Sequence, residues 1–135
     1  MCIAMFGMTS CGPEQVGARI TTAYYTVQPY QWVTNANIDY YYSTWENADI
    51  TPDVIDNGVV LVYYIDADKR DNILPYLLPY ETPDGNLYME NIRYDIETGA
   101  ISFIIQDSDF GTDQTMRSIT ENGTVFQFKV SVIRN

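Results

Sequence analysis

The sequence predicts an all-β fold, an antiparallel β-sandwich or flattened barrel with one short connecting helix. Tyrosine, a residue that favours strands and half-buried positions, occurs 12 times in 135 residues. Apolar residues alternate with polar ones near the C-terminus, where Phe126, Phe128, Val130 and Val132 share one face of a predicted strand. Turn sequences recur at short intervals, and short strands joined by tight turns pack as two sheets.

Strand-like segments follow one another through residues 20–135, and no shift in composition divides them. The first runs from Ile20 to Gln28, a second short extended piece runs from Gln31 to Thr34, and a third runs from Ile38 to Trp45. Val59 to Ile65 is apolar at successive positions, which predicts a central strand buried on both faces. Ile73 to Tyr80 contains two prolines, so it can be extended but cannot be a regular interior strand. Residues 20–135 are therefore expected to form one β-domain.

Tight turns punctuate the C-terminal half. The turn sequences are Pro83-Asp84-Gly85-Asn86, Glu97-Thr98-Gly99 and Asn122-Gly123. They predict that the flanking segments pair as hairpins, and the strands expected beside the last two turns are 91–96, 100–106, 116–120 and 124–133.

The predicted helix is short and lies in the middle of the chain. Thr51 is a typical N-cap, Pro52 suits the first helical position, and Asp53 places an acid in the first turn. Gly58 suits the C-terminal end. We expect helix to be confined to this turn or two.

Charge and composition exclude several classes of function. The net charge is −11 and the seven basic residues are scattered, which is not the composition of a nucleic-acid-binding surface. The chain contains no histidine, so a Ser-His-Asp triad or a His-ligated zinc site cannot be built. With no catalytic constellation in the sequence, we predict neither enzymatic activity nor a cofactor.

The N-terminus predicts export and lipidation. Residues 1–10 carry no charged side chain, and Met8-Thr9-Ser10-Cys11 resembles a bacterial lipobox, in which the cysteine is acylated and becomes the new N-terminus. The segment departs from the pattern in its short apolar stretch and in the lack of a basic region, and the alternative is an ordinary N-terminus with a free Cys11. Residues 1–19 are thus interpreted as a signal-peptide remnant, the lipidated Cys11 and a flexible spacer that begins with Gly12-Pro13.

Several of these segments together resemble a group of small uncharacterised lipoproteins of the Bacteroidetes. The resemblance lies in Thr9 to Glu14, Ile50 to Tyr63 and Leu78-Pro79-Tyr80, followed by a hydrophobic strand that closes the chain. It implies export, a lipid anchor at Cys11 and a β-domain located in the cell envelope, and it transfers no catalytic residue.

Two candidate binding features remain. Aromatic residues could form a flat platform that stacks against sugar rings, although aromatic residues in strands more often fill the core; the residues concerned are Trp32, Trp45, Tyr40, Tyr41 and Tyr42. Alternate acids at Asp107, Asp109 and Asp113 are a weak calcium candidate whose spacing does not fit an EF-hand. Asp66, Asp68 and Asp71 form a weaker version.

The sequence therefore favours two functions of different classes. The first is a lipid-anchored accessory protein of the cell envelope that is held at the membrane by its N-terminal lipid and binds another protein. The alternative is a carbohydrate-binding module for extracellular glycan. Solvent exposure of the aromatic residues separates the two, because a glycan platform requires a coplanar exposed row and a core does not.

Overall fold

The computed structural model describes residues 17–82 and 84–135 and confirms the predicted β-sandwich. Two four-stranded antiparallel sheets pack face to face, sheet I with the strand order β1-β8-β3-β4 and sheet II with the order β2-β7-β6-β5. The strands are β1 (Arg19–Val27), β2 (Tyr41–Glu46), β3 (Val59–Ile65), β4 (Asp71–Ile73), β5 (Tyr76–Glu81), β6 (Leu87–Glu97), β7 (Ala100–Asp107) and β8 (Phe126–Arg134).

The core lies between the two sheets and is built from the inward-facing residues of each strand. Phe128 of β8 stacks on Phe103 of β7, with ring centroids 4.1 Å apart and planes 4° from parallel. The Tyr94 hydroxyl donates to the Val60 carbonyl across the sandwich, at 2.7 Å. The alternation predicted for the last strand is confirmed, since its four inward-facing apolar residues are buried.

The predicted helix is confirmed as α1 (Pro52–Asn57). The Thr51 hydroxyl accepts from the Val54 amide at 3.2 Å, as an N-cap does, and the Gly58 amide closes the last turn on the Val54 carbonyl. Among the described residues, no helix is long and apolar enough to cross a membrane.

Two predictions about local structure are wrong. Residues 116–120 were expected to form a strand, but they belong to a helical segment made of α2 (Asp113–Met116) and a π-helical turn, Arg117–Glu121. Strand β3 is interior to sheet I, yet only one of its faces is buried. Val60 and Val62 point into the core, whereas Val59 on the opposite face is 48% exposed because no element of the described residues covers that side of the sheet.

The proline-containing segment behaves as predicted. Strand β5 carries Pro79 and forms an edge of sheet II, where a missing amide donor costs no ladder bond. The hairpin between β5 and β6 pairs Glu81 with Leu87, and the turn between β6 and β7 places Gly99 at φ 79°. Two of the three turn predictions are thus confirmed, and the hairpin predicted at Asn122-Gly123 is wrong because the segment before it is helical.

Candidate functional site

The predicted aromatic residues do not form one surface. Trp32 and Tyr41 lie in the core, at 7% and 9% exposure, and Trp32 packs edge-on against Phe126. Trp45 also faces inward and is half-buried, because its indole N–H donates to the Ser43 hydroxyl and its ring packs against Tyr25. Trp32 and Tyr41 lie in the core and cannot take part in an exposed platform, whereas the half-buried Trp45 lines a surface depression together with Tyr42.

Tyr40 and Tyr42 remain on the outer face of sheet II. Their rings are 6.3 Å apart and inclined by 59°, so they are not coplanar. The guanidinium of Arg93 lies 5.5 Å from the centroid of the Tyr40 ring. Beside them is a shallow depression of about 210 Å³, and its other lining residues are Thr44, Asp95, Ser102 and Ile104.

The acidic residues of the weak calcium candidate have other partners. Asp107 is buried at the end of β7, and its two carboxylate oxygens accept from the amides of Gln114 and Thr115 and from the Thr115 hydroxyl, at 2.8–2.9 Å. Asp107, at the end of the preceding strand, therefore caps the N-terminus of α2 by direct hydrogen bonds. Asp109 accepts a hydrogen bond from the Tyr88 hydroxyl, which raises the pKa of Tyr88 and lowers that of Asp109. Asp113 lies exposed in the first turn of α2.

The second acidic group is also used within the fold. Asp66 and Asp68 both bind the Arg70 guanidinium, and hydrogen bonds from the Arg70 amide, the Asn72 amide group and the Arg70 side chain lower the pKa of Asp66. Asp71 pairs with Lys129 of β8. Within residues 17–82 and 84–135, no three histidine, cysteine or acidic side chains are arranged to hold a metal ion.

One buried glutamate was not identified from the sequence. Glu90 lies opposite Asp107 on the neighbouring strand, is 1% exposed, and accepts a hydrogen bond from the Ser118 hydroxyl at 3.0 Å. Burial, with a smaller contribution from the Asp107 charge, raises the pKa of Glu90 to about 7. The alternation Glu90, Ile92, Tyr94 was a signal that this residue faces inward, although a charged residue at such a position is rare.

The strand register brings several exposed apolar side chains together on the outer face of sheet I. Four aligned rows cross it, and one of them, made of Thr26, Gln127, Ile65 and Asp71, carries an acidic residue. The members of the other three rows are Ile20, Ile133 and Val59, then Thr22, Ser131 and Leu61, then Tyr24, Lys129, Tyr63 and Ile73. We call these ten residues the sheet I outer face. Four of the apolar side chains, at positions 20, 24, 59 and 73, are 48–71% exposed.

The charge of this face differs from that of the rest of the chain. Strands β1, β3 and β8 contain no aspartate or glutamate, although the whole chain carries 18 acidic residues. Lys129 lies in the centre of the face, with its ammonium 4.6 Å from the centroid of the Tyr63 ring. Arg19 and Arg134 pair in register next to Ile20 and Ile133, so they belong to the opposite side of the sheet, where Arg134 lies 3.5 Å from Asp49. The lack of acidic residues in these three strands is visible in the sequence. That the strands lie side by side and form one face is visible only from their register in the structure.

The predicted lipidation site, Cys11, lies outside the described residues. Comparisons with protein-family models, with curated proteins and with solved structures find no match to this chain.

Proposed function

We propose that this chain is an exported, lipid-anchored accessory protein of the cell envelope that binds another protein through the sheet I outer face. The observation that carries this proposal is a largely apolar face that no element of the described residues covers and whose three long strands contain no acidic residue, in a chain of net charge −11. Three strands about 4.8 Å apart and about 30 Å long give roughly 400 Å², the size of functional apolar patches on monomers.

The chemistry of the face favours a protein partner. Aliphatic side chains at Ile20, Val59 and Ile73 surround Tyr24 and Tyr63. Tyrosine is enriched in protein interfaces because its ring is rigid and apolar while its hydroxyl stays satisfied by water or a partner. Lys129, the one charged member of these ten residues, is paired with Asp71 of β4, so the face presents little net charge and suits a partner with a mainly apolar, neutral surface.

The binding proposal is tested by site-specific photocrosslinking in a related bacterium. A photoreactive amino acid in place of Tyr24 should give a discrete crosslinked protein species, because this side chain is 71% exposed on the face. The same amino acid in place of Thr44, on the outer face of sheet II, is the matched control. Crosslinks of equal yield at both positions, or at neither, would contradict the proposal.

The anchor is tested independently with the same full-length gene. Cys11 should be labelled by an alkyne fatty acid and should be the mature N-terminus in mass spectrometry. Cys11→Ser should abolish the label and release the protein from membranes, whereas Cys2→Ser should leave both unchanged. Several acyl chains hold a protein stably at a bilayer, so a labelled protein should fractionate entirely with membranes. A soluble, unlabelled protein that retains residues 1–10 would remove the anchor from the proposal.

A second candidate function, glycan binding, is supported by the depression beside Tyr40 and Tyr42. Two aromatic rings with hydroxyl groups at Thr44 and Ser102 and a carboxylate at Asp95 combine apolar stacking with hydrogen bonding. Affinity electrophoresis in gels that contain a soluble β-glucan, a mannan or starch tests this candidate. Retardation that Tyr42→Ala removes and Tyr24→Ala preserves supports it, and unchanged migration in every gel contradicts it.

A further inference from the structure

The four edge strands of the sandwich differ in how they are protected against pairing with another chain. An uncovered edge presents unpaired amide and carbonyl groups, and proteins commonly limit this by making edge strands short, by placing proline in them, or by covering them. Strand β4 has three residues, and β5 carries Pro79. Strand β2 is covered by Val33, which exchanges two backbone hydrogen bonds with Tyr42 at 2.8 and 2.9 Å.

Strand β1 has none of these protections within the part of the chain that the structure describes. It is nine residues long, contains no proline or glycine, and pairs only with β8 among the described strands. Its sequence, from Arg19 to Val27, consists mainly of threonine, tyrosine, isoleucine and valine, which favour extended structure. The other edge of β1 therefore offers a full-length template for one more strand.

We infer that β1 pairs with β1 of a second copy of this chain, in antiparallel register, so that two copies of sheet I join into one continuous sheet of eight strands. This inference goes beyond the proposed function, because it places a second copy at the β1 edge and leaves the sheet I outer faces of both copies open to another protein. A symmetric dimer needs a self-complementary interface, and an antiparallel strand pair meets that condition about any central residue.

Charge favours a second copy at this edge. In a register centred on Ala23, Arg19 lies opposite Val27 and Thr22 lies opposite Tyr24, so no two charged residues meet. Each copy carries net charge −11, but none of its acidic residues lies on β1 or on the neighbouring β8. Two copies consequently approach at this edge with less repulsion than at an acid-rich part of the surface. The pairing also joins the two sheet I outer faces side by side.

Sedimentation of the unlipidated full chain tests the dimer. In a Cys2→Ser and Cys11→Ser background, the mass should rise from 15.5 kDa to twice that value as the concentration increases. Adding Thr22→Lys and Tyr24→Lys places lysines opposite each other across the pair and should abolish the dimer. The matched control is Tyr42→Lys with Thr44→Lys, because Thr44 binds Ser102 on the adjacent strand as Thr22 binds Ser131, and that control should still dimerise.

Cysteine crosslinking in the same background distinguishes edge pairing from face-to-face packing. Ala23→Cys should form an intermolecular disulfide under mild oxidation, since the two residues meet at the symmetry axis, while Leu61→Cys in the middle of the face should not. A protein that stays monomeric at every concentration, or that links through Leu61→Cys and not through Ala23→Cys, would overturn the inference. A monomer that floats with lipid vesicles assigns the surface to the membrane and overturns it as well.

Failure of this inference is distinguishable from failure of the proposed function. A monomer whose photoreactive residue at position 24 still crosslinks to a different protein in cells overturns self-pairing and leaves the proposed function intact. A monomer without any crosslink from that position overturns both.

Discussion

Glu90 and Asp107 face each other across β6 and β7 as two carboxylates that are each only 1% exposed. They are held differently, because Asp107 accepts three hydrogen bonds from α2, two of them from backbone amides, whereas Glu90 is stabilised by the side-chain hydroxyls of Ser118 and Thr115. No ion pair involves either residue in the described part of the chain. Two buried carboxylates without a cation do not ionise together easily, and the less stabilised one keeps its proton to higher pH.

The raised pKa of Glu90 predicts that the protein loses stability as the pH rises through neutrality. The pKa increases from 4.5 when unfolded to about 7 when folded, so the folded state binds more protons between these values. The free energy of unfolding therefore falls over this range, and the penalty is complete above about pH 7. The shift corresponds to about 3 kcal/mol.

Glu90→Gln, which cannot ionise, should remove this pH dependence. Urea denaturation at pH 5 and pH 8 measures it, with the wild type losing more stability between the two than Glu90→Gln does. Glu97→Gln, an exposed position on the same strand, is the control and should follow the wild type. Equal losses in the wild type and Glu90→Gln would show that Glu90 does not titrate in this range.

Asp107→Asn should destabilise the protein and loosen the helical segment 113–121. The asparagine side chain keeps one acceptor oxygen. Its NH₂ group cannot accept hydrogen bonds, so at least one N–H or O–H donor of α2 that the carboxylate satisfied is left without an acceptor. We expect the free energy of unfolding to fall by about 2–4 kcal/mol, as it does when a buried charged acceptor is replaced. Hydrogen exchange should accelerate in residues 113–121 while β8 stays protected. Asp113→Asn, in the exposed first turn of the same helix, should change either measurement far less.

Local signals allowed much of the fold to be predicted. The alternation in β8, the Thr51 cap and the turn glycine at position 99 each act within a few residues, so the sequence alone indicates them. The helix over residues 113–121 was missed because its cap, Asp107, comes from the preceding strand, and only tertiary packing brings the two together. The exposure of one face of β3 likewise depends on which elements cover the sheet.

The candidate site was less predictable for the same reason. Strand alternation places Tyr41 inward and Tyr42 outward, but a composition-based interpretation grouped all the aromatic residues as one platform. The sheet I outer face depends on the register of four strands, and no single segment reveals it.

Two neighbouring residues of β3 test which side of the strand is buried. Val62 is fully buried and Leu61 points to the sheet I outer face, where it is half-buried. Val62→Ala should cost about 1–3 kcal/mol, the effect of removing buried methyl groups, and Leu61→Ala should cost less although it removes more carbon atoms. Chemical denaturation of both variants measures the difference. A larger loss for Leu61→Ala would mean that another layer covers this face in solution.

Gly58 should not tolerate a methyl group, because β8 passes directly over it. A Cβ atom at this position would lie 2.6 Å from the Ile133 carbonyl oxygen and 3.1 Å from backbone atoms of Val54, and such backbone atoms cannot move aside as a flexible side chain does. The φ angle of Gly58 is −106°, which any residue can adopt, so the requirement for glycine here is steric alone.

Gly58→Ala should therefore destabilise the protein by about 1–3 kcal/mol, as overpacking of a tight contact does. Gly17→Ala has open space around it and should be neutral or stabilising by a few tenths of a kcal/mol. Gly99→Ala also has open space but a φ of 79°, so it separates backbone strain from steric overlap and should cost about 1 kcal/mol. Chemical denaturation of the three variants should rank Gly58→Ala as the least stable. Wild-type stability in Gly58→Ala would mean that the distance from a Cβ atom at position 58 to the Ile133 carbonyl oxygen is longer in solution than 2.6 Å.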